Sequence, residues 1–183
     1  VTTQFAQGDT EFHTLLREQI RREFTASHQY LAIAIYFDSS DLPQLAQRFY
    51  TQATEERSHA LMMVQYLLDR GIAVELEGVD SVVTKFGAIR DAVALSLNQE
   101  KEVTEQITAL TRSARDTNDF LGERFMQWFL QEQVEEVAGM TTLLSVVDKA
   151  AGNMFDLEAF VARELNGAAA ADPTAPKAAG GAA

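Results

Sequence analysis

The sequence has no cysteine, only three prolines and no long apolar run in its 183 residues. Without cysteine there can be no disulfide, no thiolate-held metal and no thiol nucleophile. Without about 20 consecutive apolar residues, no membrane-spanning helix is expected. The opening VTTQFAQGDTEF lacks the basic-then-apolar layout of a secretory signal, so a cytoplasmic location is the expectation. Positive charge is scarce too: 15 Lys and Arg stand against 27 Asp and Glu, for a formal net charge of −12. Such a surface repels phosphate backbones and concentrates cations, and neither nucleic acid nor membrane is expected as a partner.

What is present suits one helical domain. Hydrophobic residues make up 46% of the chain and charged residues 23%, the balance of a globular protein. Long stretches rich in Glu, Gln, Leu and Ala, with little Pro or Gly, favour helix over strand. The spacing predicts helices over about 9–38, 41–70, 88–116 and 118–151, then a short amphipathic one over about 155–165. Asp9 or Thr10 is a candidate cap for the first helix and Asp41 for the second, with Pro43 in its first turn and Gly71 as its stop. Short links make the first two long helices antiparallel neighbours, and likewise the last two. The middle link of about 17 residues spans roughly 56 Å when extended, enough to pass a 28-residue helix of roughly 42 Å. The expected fold is all-α: an antiparallel four-helix bundle with one long crossover and a short fifth helix, occupying residues 1–166. The Ala-, Pro- and Gly-rich remainder, 167–183, is expected to be a disordered tail.

Each long helix carries an acid in the middle of its apolar stripe: Glu23, Glu56, Glu100 and Glu136. In an antiparallel bundle, helix midpoints share one level whichever way each helix runs. Four carboxylates in one core layer, with no Lys or Arg on the stripes at that level, would be desolvated and mutually repelling. A multivalent cation relieves both penalties, and hard oxygen donors with one imidazole suit iron, manganese or zinc. Glu56-Arg57-Ser58-His59 supplies that imidazole three residues on, along the same helix face. Glu-x-x-His with single glutamates from partner helices is a carboxylate di-metal pattern of helical bundles. Glu136, by contrast, is followed by Val137, Ala138 and Gly139, so a second metal would lack a histidine. Gln133, one turn earlier, can reach that weaker position as a hydrogen-bonding group or poor ligand.

Glu23, Glu56-x-x-His59, Glu100 and Gln133-x-x-Glu136, at these separations, resemble the ferroxidase centre of non-haem bacterial ferritins across about residues 10–165. The stretch FLGERFMQWFLQEQVEEV is particularly similar to actinobacterial ferritins. The resemblance implies ferroxidase activity: Fe(II) oxidised to Fe(III) by O2 or H2O2 at an intra-subunit di-iron centre. It further implies a hollow homo-oligomer of twenty-four subunits that stores ferric oxyhydroxide. By the same resemblance Glu23 and His59 bind the first iron, Glu56 bridges, and Glu100 and Glu136 hold the second. Glu55, Glu132 and Glu135 match a third iron position on the inner surface, and Tyr30 and Trp128 match aromatic neighbours that supply electrons. Bacterioferritin fits less well, because Arg57 stands where that family places its haem-binding methionine and the second Glu-x-x-His is missing; no haem is expected.

The residues alone leave plainer readings open. Tyr30 and Trp128 also suit core packing, Glu55, Glu132 and Glu135 a solvated face, and His13 and His28 the surface. Asp116, Asp119 and Glu123, around the turn into the fourth long helix, suit either a cation-concentrating funnel or an ordinary polar loop. A di-iron oxidase or peroxidase that stores nothing is the rival function.

Overall fold

Thr10 opens the first helix with a reciprocal pair of hydrogen bonds. Its hydroxyl accepts from the His13 backbone N–H and its own N–H donates to His13 Nδ1, both at 3.3 Å. In this computed structural model, which describes residues 10–167 and 172–181, the candidate cap Asp9 lies outside the described residues. Five α-helices follow one another: α1 (Glu11–Asp38), α2 (Pro43–Asp69), α3 (Ile89–Asp116), α4 (Phe120–Ala150) and α5 (Met154–Phe160). A single π-helical turn, Val161–Leu165, continues α5. The described residues form an all-α bundle, and none of its helices is long and apolar enough to cross a membrane.

Capping differs from expectation at α2. Asp41 does not cap it; the residue sits in the left-handed region at φ +57° and turns the chain, while Leu42 occupies the cap position without a side-chain bond. The open N–H groups of Gln44 and Leu45 are taken by the Glu158 carboxylate of α5, at 2.8 and 3.0 Å. A negative charge at a helix N-terminus satisfies donors and complements the helix dipole together. At the far end, Gly71 adopts φ +68° and stops α2 as expected. Asp119 caps α4 by accepting from the Gly122 N–H at 2.9 Å. Gly122 is required by packing: a Cβ there would meet the Phe12 ring at 2.5 Å.

The crossover, residues 71–88, runs along α1 from one end of the bundle to the other. Arg17 Nε donates to the Ala73 carbonyl at 3.0 Å, and Thr25 Oγ1 accepts from the Asp80 N–H at 3.1 Å. Further along, the Gln29 amide exchanges two hydrogen bonds with the Val83 backbone, each 2.8 Å. The order 73, 80, 83 against 17, 25, 29 means that the link travels in the direction of α1. Consequently α3 starts beside the end of α1 and runs back antiparallel to it.

The core falls into two apolar clusters. One contains Phe37, Phe49, Val93, Leu143 and Leu157; the other contains Phe12, Leu16, Leu67, Ile107 and Met126. On every long helix the gap between them falls at the acids singled out above. The waist of the bundle is polar, and both ends are sealed by hydrocarbon.

One surface expectation changes. His13 is buried, not superficial: it lies inside its capping box with Nε2 3.5 Å from Asp119 Oδ2. Asp119 is thereby committed to the interior, bonded to Arg70 Nη1 at 3.1 Å, and Glu123 pairs with Arg115 at 2.6 Å. Neither acid is then a bare carboxylate for a funnel. Within the expected tail, residues 168–171 and 182–183 lie outside the described residues, whereas 172–181 lie along α2 and α4. The Ala179 N–H donates to the Leu61 carbonyl at 3.0 Å, and Ala175 and Ala178 pack against the second cluster. Their methyl groups are small enough to let the backbone approach a helix closely.

Candidate metal centre

Glu23 from α1 and Glu56 and His59 from α2 converge in the waist, each offering one ligand atom within 4.8 Å of the others. Among the described residues this is the one compact group of three such side chains. The i,i+3 spacing does the local work, placing His59 Nδ1 3.4 Å from Glu56 Oε2 on one helix face. Glu100 enters from α3, its Oε1 accepting from the Tyr30 hydroxyl and its Oε2 from Gln133 Nε2 at 3.2 Å. Gln133 also donates to the Glu100 carbonyl at 3.1 Å, so it is tied to α3. Glu136 on α4 is half-buried. Two carboxylate oxygens, Glu23 Oε2 and Glu136 Oε2, are buried with no hydrogen-bond partner. Such orphaned acceptors are costly unless something positive meets them.

The electrostatics show how this layer persists without a cation. Burial, reinforced by the charge of Glu56, pushes Glu23 well above the usual carboxylate range. Burial and the charges of Glu56 and Glu136 push Glu100 up to about 8. Burial and Glu56 push Glu136 up to about 7. Glu56 goes the other way: burial opposes its charge, but the hydrogen bond and charge of His59 outweigh burial and hold it low. Burial likewise disfavours charge on His59, yet Glu56 and the acids around it raise it to about 10. Below about pH 7 the metal-free layer is thus one ion pair, Glu56 with His59, surrounded by carboxyls that keep their protons. A divalent cation would displace those protons and meet the two orphaned oxygens at once.

Comparison with known proteins agrees with this architecture. Residues 13–150 match the family described as Ferritin-like domain. The chain belongs to this family. Ferritin BfrB of Mycolicibacterium smegmatis is 63% identical over 174 residues, covering 95% of this chain and 96% of that protein. A Mycobacterium tuberculosis H37Rv relative named Bacterioferritin BfrB is 60% identical over 179 residues, 98% of each chain. Among solved structures, an open pore ferritin from Archaeoglobus fulgidus superposes with a TM-score of 0.80 at 27% identity, over 84% of this chain and 95% of that one.

In this ferritin-like chain the remaining candidates sit around the centre rather than in it. Glu55, Glu132 and Glu135 share a cleft of about 450 Å3 with His59, Glu136 and Trp128. Their carboxylates do not draw into a compact group like that of Glu23, Glu56 and His59. Burial raises Glu132 above the usual carboxylate range. Trp128 stands edge-on to His59, with ring centroids 5.7 Å apart, and donates Nε1–H to Asp172 Oδ2 at 2.8 Å. Tyr30 is fully buried, packed against Phe49 at 5.8 Å between centroids.

Three side chains at the centre were missed. Gln19 Nε2 donates to Glu23 Oε1 at 2.9 Å, and Gln52 Nε2 to Glu56 Oε1 at 3.1 Å. Both read as Gln-x-x-x-Glu, a spacing that places the two side chains on one helix face and was available from the sequence. Asp172 had no such signal, because nothing local ties it to Trp128, 44 residues away.

Proposed function

We propose that the chain is an iron-storage ferritin with ferroxidase activity. It takes Fe2+ as substrate at the waist, oxidises it with O2 or H2O2, and mineralises the product inside a closed homo-oligomeric shell of twenty-four copies. The observation carrying this reading is the waist of three buried acids, half-buried Glu136 and one imidazole, with two carboxylate oxygens left unpartnered. Glu23 and His59 hold the first Fe2+, Glu56 lies between, and Glu100 and Glu136 hold the second. Each Fe2+ gives up one electron; O2 with two protons then becomes H2O2, or H2O2 with two protons becomes two waters. Carboxylates favour the more highly charged ion, which lowers the potential of the couple. Glu55, Glu132 and Glu135 line the cleft through which ferric product leaves, and its hydrolysis releases protons. Tyr30, bonded to Glu100, and Trp128, edge-on to His59, are oxidisable side chains beside the site.

A single bundle has no storage cavity, and the isolated chain leaves Ile35, Phe120, Leu121 and Phe155 exposed, as a subunit would. The proposed reading includes no haem. Arg57 carries no lone pair for a metal, and Met63 is fully buried.

The test adds Fe2+ aerobically while O2 uptake is recorded, then counts iron per assembled particle after size exclusion. Wild type should consume O2 and retain far more than two irons per chain. Glu56→Ala with His59→Ala should assemble but lose fast oxidation by at least about 100-fold. A small oligomer that oxidises without retaining iron would favour the non-storing oxidase, and unchanged kinetics in the double variant would reject the ligand assignment.

A further inference from the structure

Glu56 and Glu136 share a neighbour, Gln52, one turn before Glu56 on α2 and 0% exposed. Its Nε2 donates to Glu56 Oε1 at 3.1 Å, and the same amide lies near enough to Glu136 on α4 to favour that acid's charged form. Its Oε1, by contrast, is buried with no partner, and so is Glu136 Oε2. A fully buried amide whose carbonyl goes unsatisfied is expensive, and a methionine would fill the same volume without that cost. The arrangement therefore points to a role other than packing.

The other acids of the layer are held differently. Glu23 receives the amide of Gln19 from its own helix, and Glu100 is held on both oxygens by Tyr30 and Gln133. Gln52 alone of these groups lies between an acid of α2, to which it is bonded, and an acid of α4, which it neighbours. We propose that Gln52 is the positioning residue of the second cation position, its amide fixing the separation of Glu56 and Glu136 between which a second divalent cation binds. The assignment rests on the di-metal reading above. With the amide in place, the unpartnered oxygen of Glu136 is kept in the waist facing Glu56. Without it, Glu136 is free to swing into the inner cleft that it also lines. A second position that lacks a histidine depends on such placement more than the first, where His59 and Glu56 come preset by their own helix.

Co2+ titrated into the metal-free assembled protein, read by calorimetry and visible absorption, tests this. Wild type should take up two Co2+ per chain in resolvable steps. Gln52→Met should leave the first step within about threefold and weaken the second at least tenfold, while the metal-free protein melts at the same temperature or higher. An unchanged second step overturns the proposal. So does a parallel weakening of both steps with a lower melting temperature, which is what a merely structural glutamine would give. A wild-type chain that binds a single Co2+ overturns the di-metal reading itself, and this assignment with it. Should Gln52→Met fail to assemble, Gln52→Asn keeps the amide but cannot reach both acids, and an unchanged second step there is equally decisive.

Discussion

The Tyr30 hydroxyl on α1 donates to Glu100 Oε1 on α3, joining two helices through the carboxylate proposed to hold the second cation. Burial and the charge of Glu100 raise Tyr30 well above its ordinary value, so it stays a donor across the working pH range. Tyr30→Phe keeps the ring against Phe49 and removes only the hydroxyl. The loss of one buried hydrogen bond to a carboxyl should cost about 1–2 kcal/mol in the metal-free protein, read by calorimetry. Initial Fe2+ oxidation should slow severalfold, because Glu100 is then held by Gln133 alone. An oxidation rate within twofold of wild type would make Tyr30 a packing residue and nothing more.

Metal-free stability should fall as pH rises from about 5 to about 9. Glu136 at about 7 and Glu100 at about 8 both lie above the ordinary 4.5, and Glu23 is raised well above it too. In that window the folded state binds more protons than the unfolded one, so the contribution of these groups is complete below about 4.5 and disappears as they ionise. His59, raised to about 10, acts in the same direction: its share is complete below 6.5 and lost through about 10. Glu56, held low, works the opposite way, its share being lost only in acid. Zn2+ should flatten the slope, and its binding should release more protons at pH 6 than at pH 9. Calorimetry in buffers of different ionisation enthalpy reads that proton count. A melting temperature that rises between pH 5 and 9 without metal would contradict the picture of proton-holding carboxyls.

The four long helices and the level of the acids were legible because both follow from periodicity: a stripe of apolar positions and a carboxylate at each midpoint. The Glu-x-x-His pair was legible for the same reason. What sequence could not show are partners supplied from far along the chain. Asp41 has the right chemistry for a cap and the right place, yet the chain turns through it in the left-handed region, and Glu158 caps α2 from 114 residues away. His13 read as a surface residue because its burial depends on Asp119, which only the folded bundle brings near. Glu158→Ala should therefore destabilise the metal-free protein by about 1–2 kcal/mol, as for loss of a helix cap. Fe2+ oxidation should remain within twofold, since Glu158 lies beyond the apolar cluster that closes that end. A large kinetic effect with little change in melting would place α5 in the chemistry rather than in support of α2.

Trp128 is the single tryptophan of the chain and sits between two informative neighbours. On one side its ring meets the edge of His59; on the other its N–H is held by Asp172, which also accepts from the Thr174 N–H and hydroxyl. These bonds hold Asp172 below its ordinary value, so it is a charged acceptor at neutral pH. Asp172→Ala removes the indole's partner and loosens the segment that covers it, which should expose Trp128 and shift its emission to longer wavelength. Co2+ at the centre should quench Trp128 in both wild type and Asp172→Ala, because the contact with His59 is untouched. In His59→Ala the quenching should be weaker at equal Co2+. An emission spectrum indifferent to Asp172→Ala would mean that residues 172–181 do not rest on α4 in solution, whereas the quenching pattern would still report the metal beside His59.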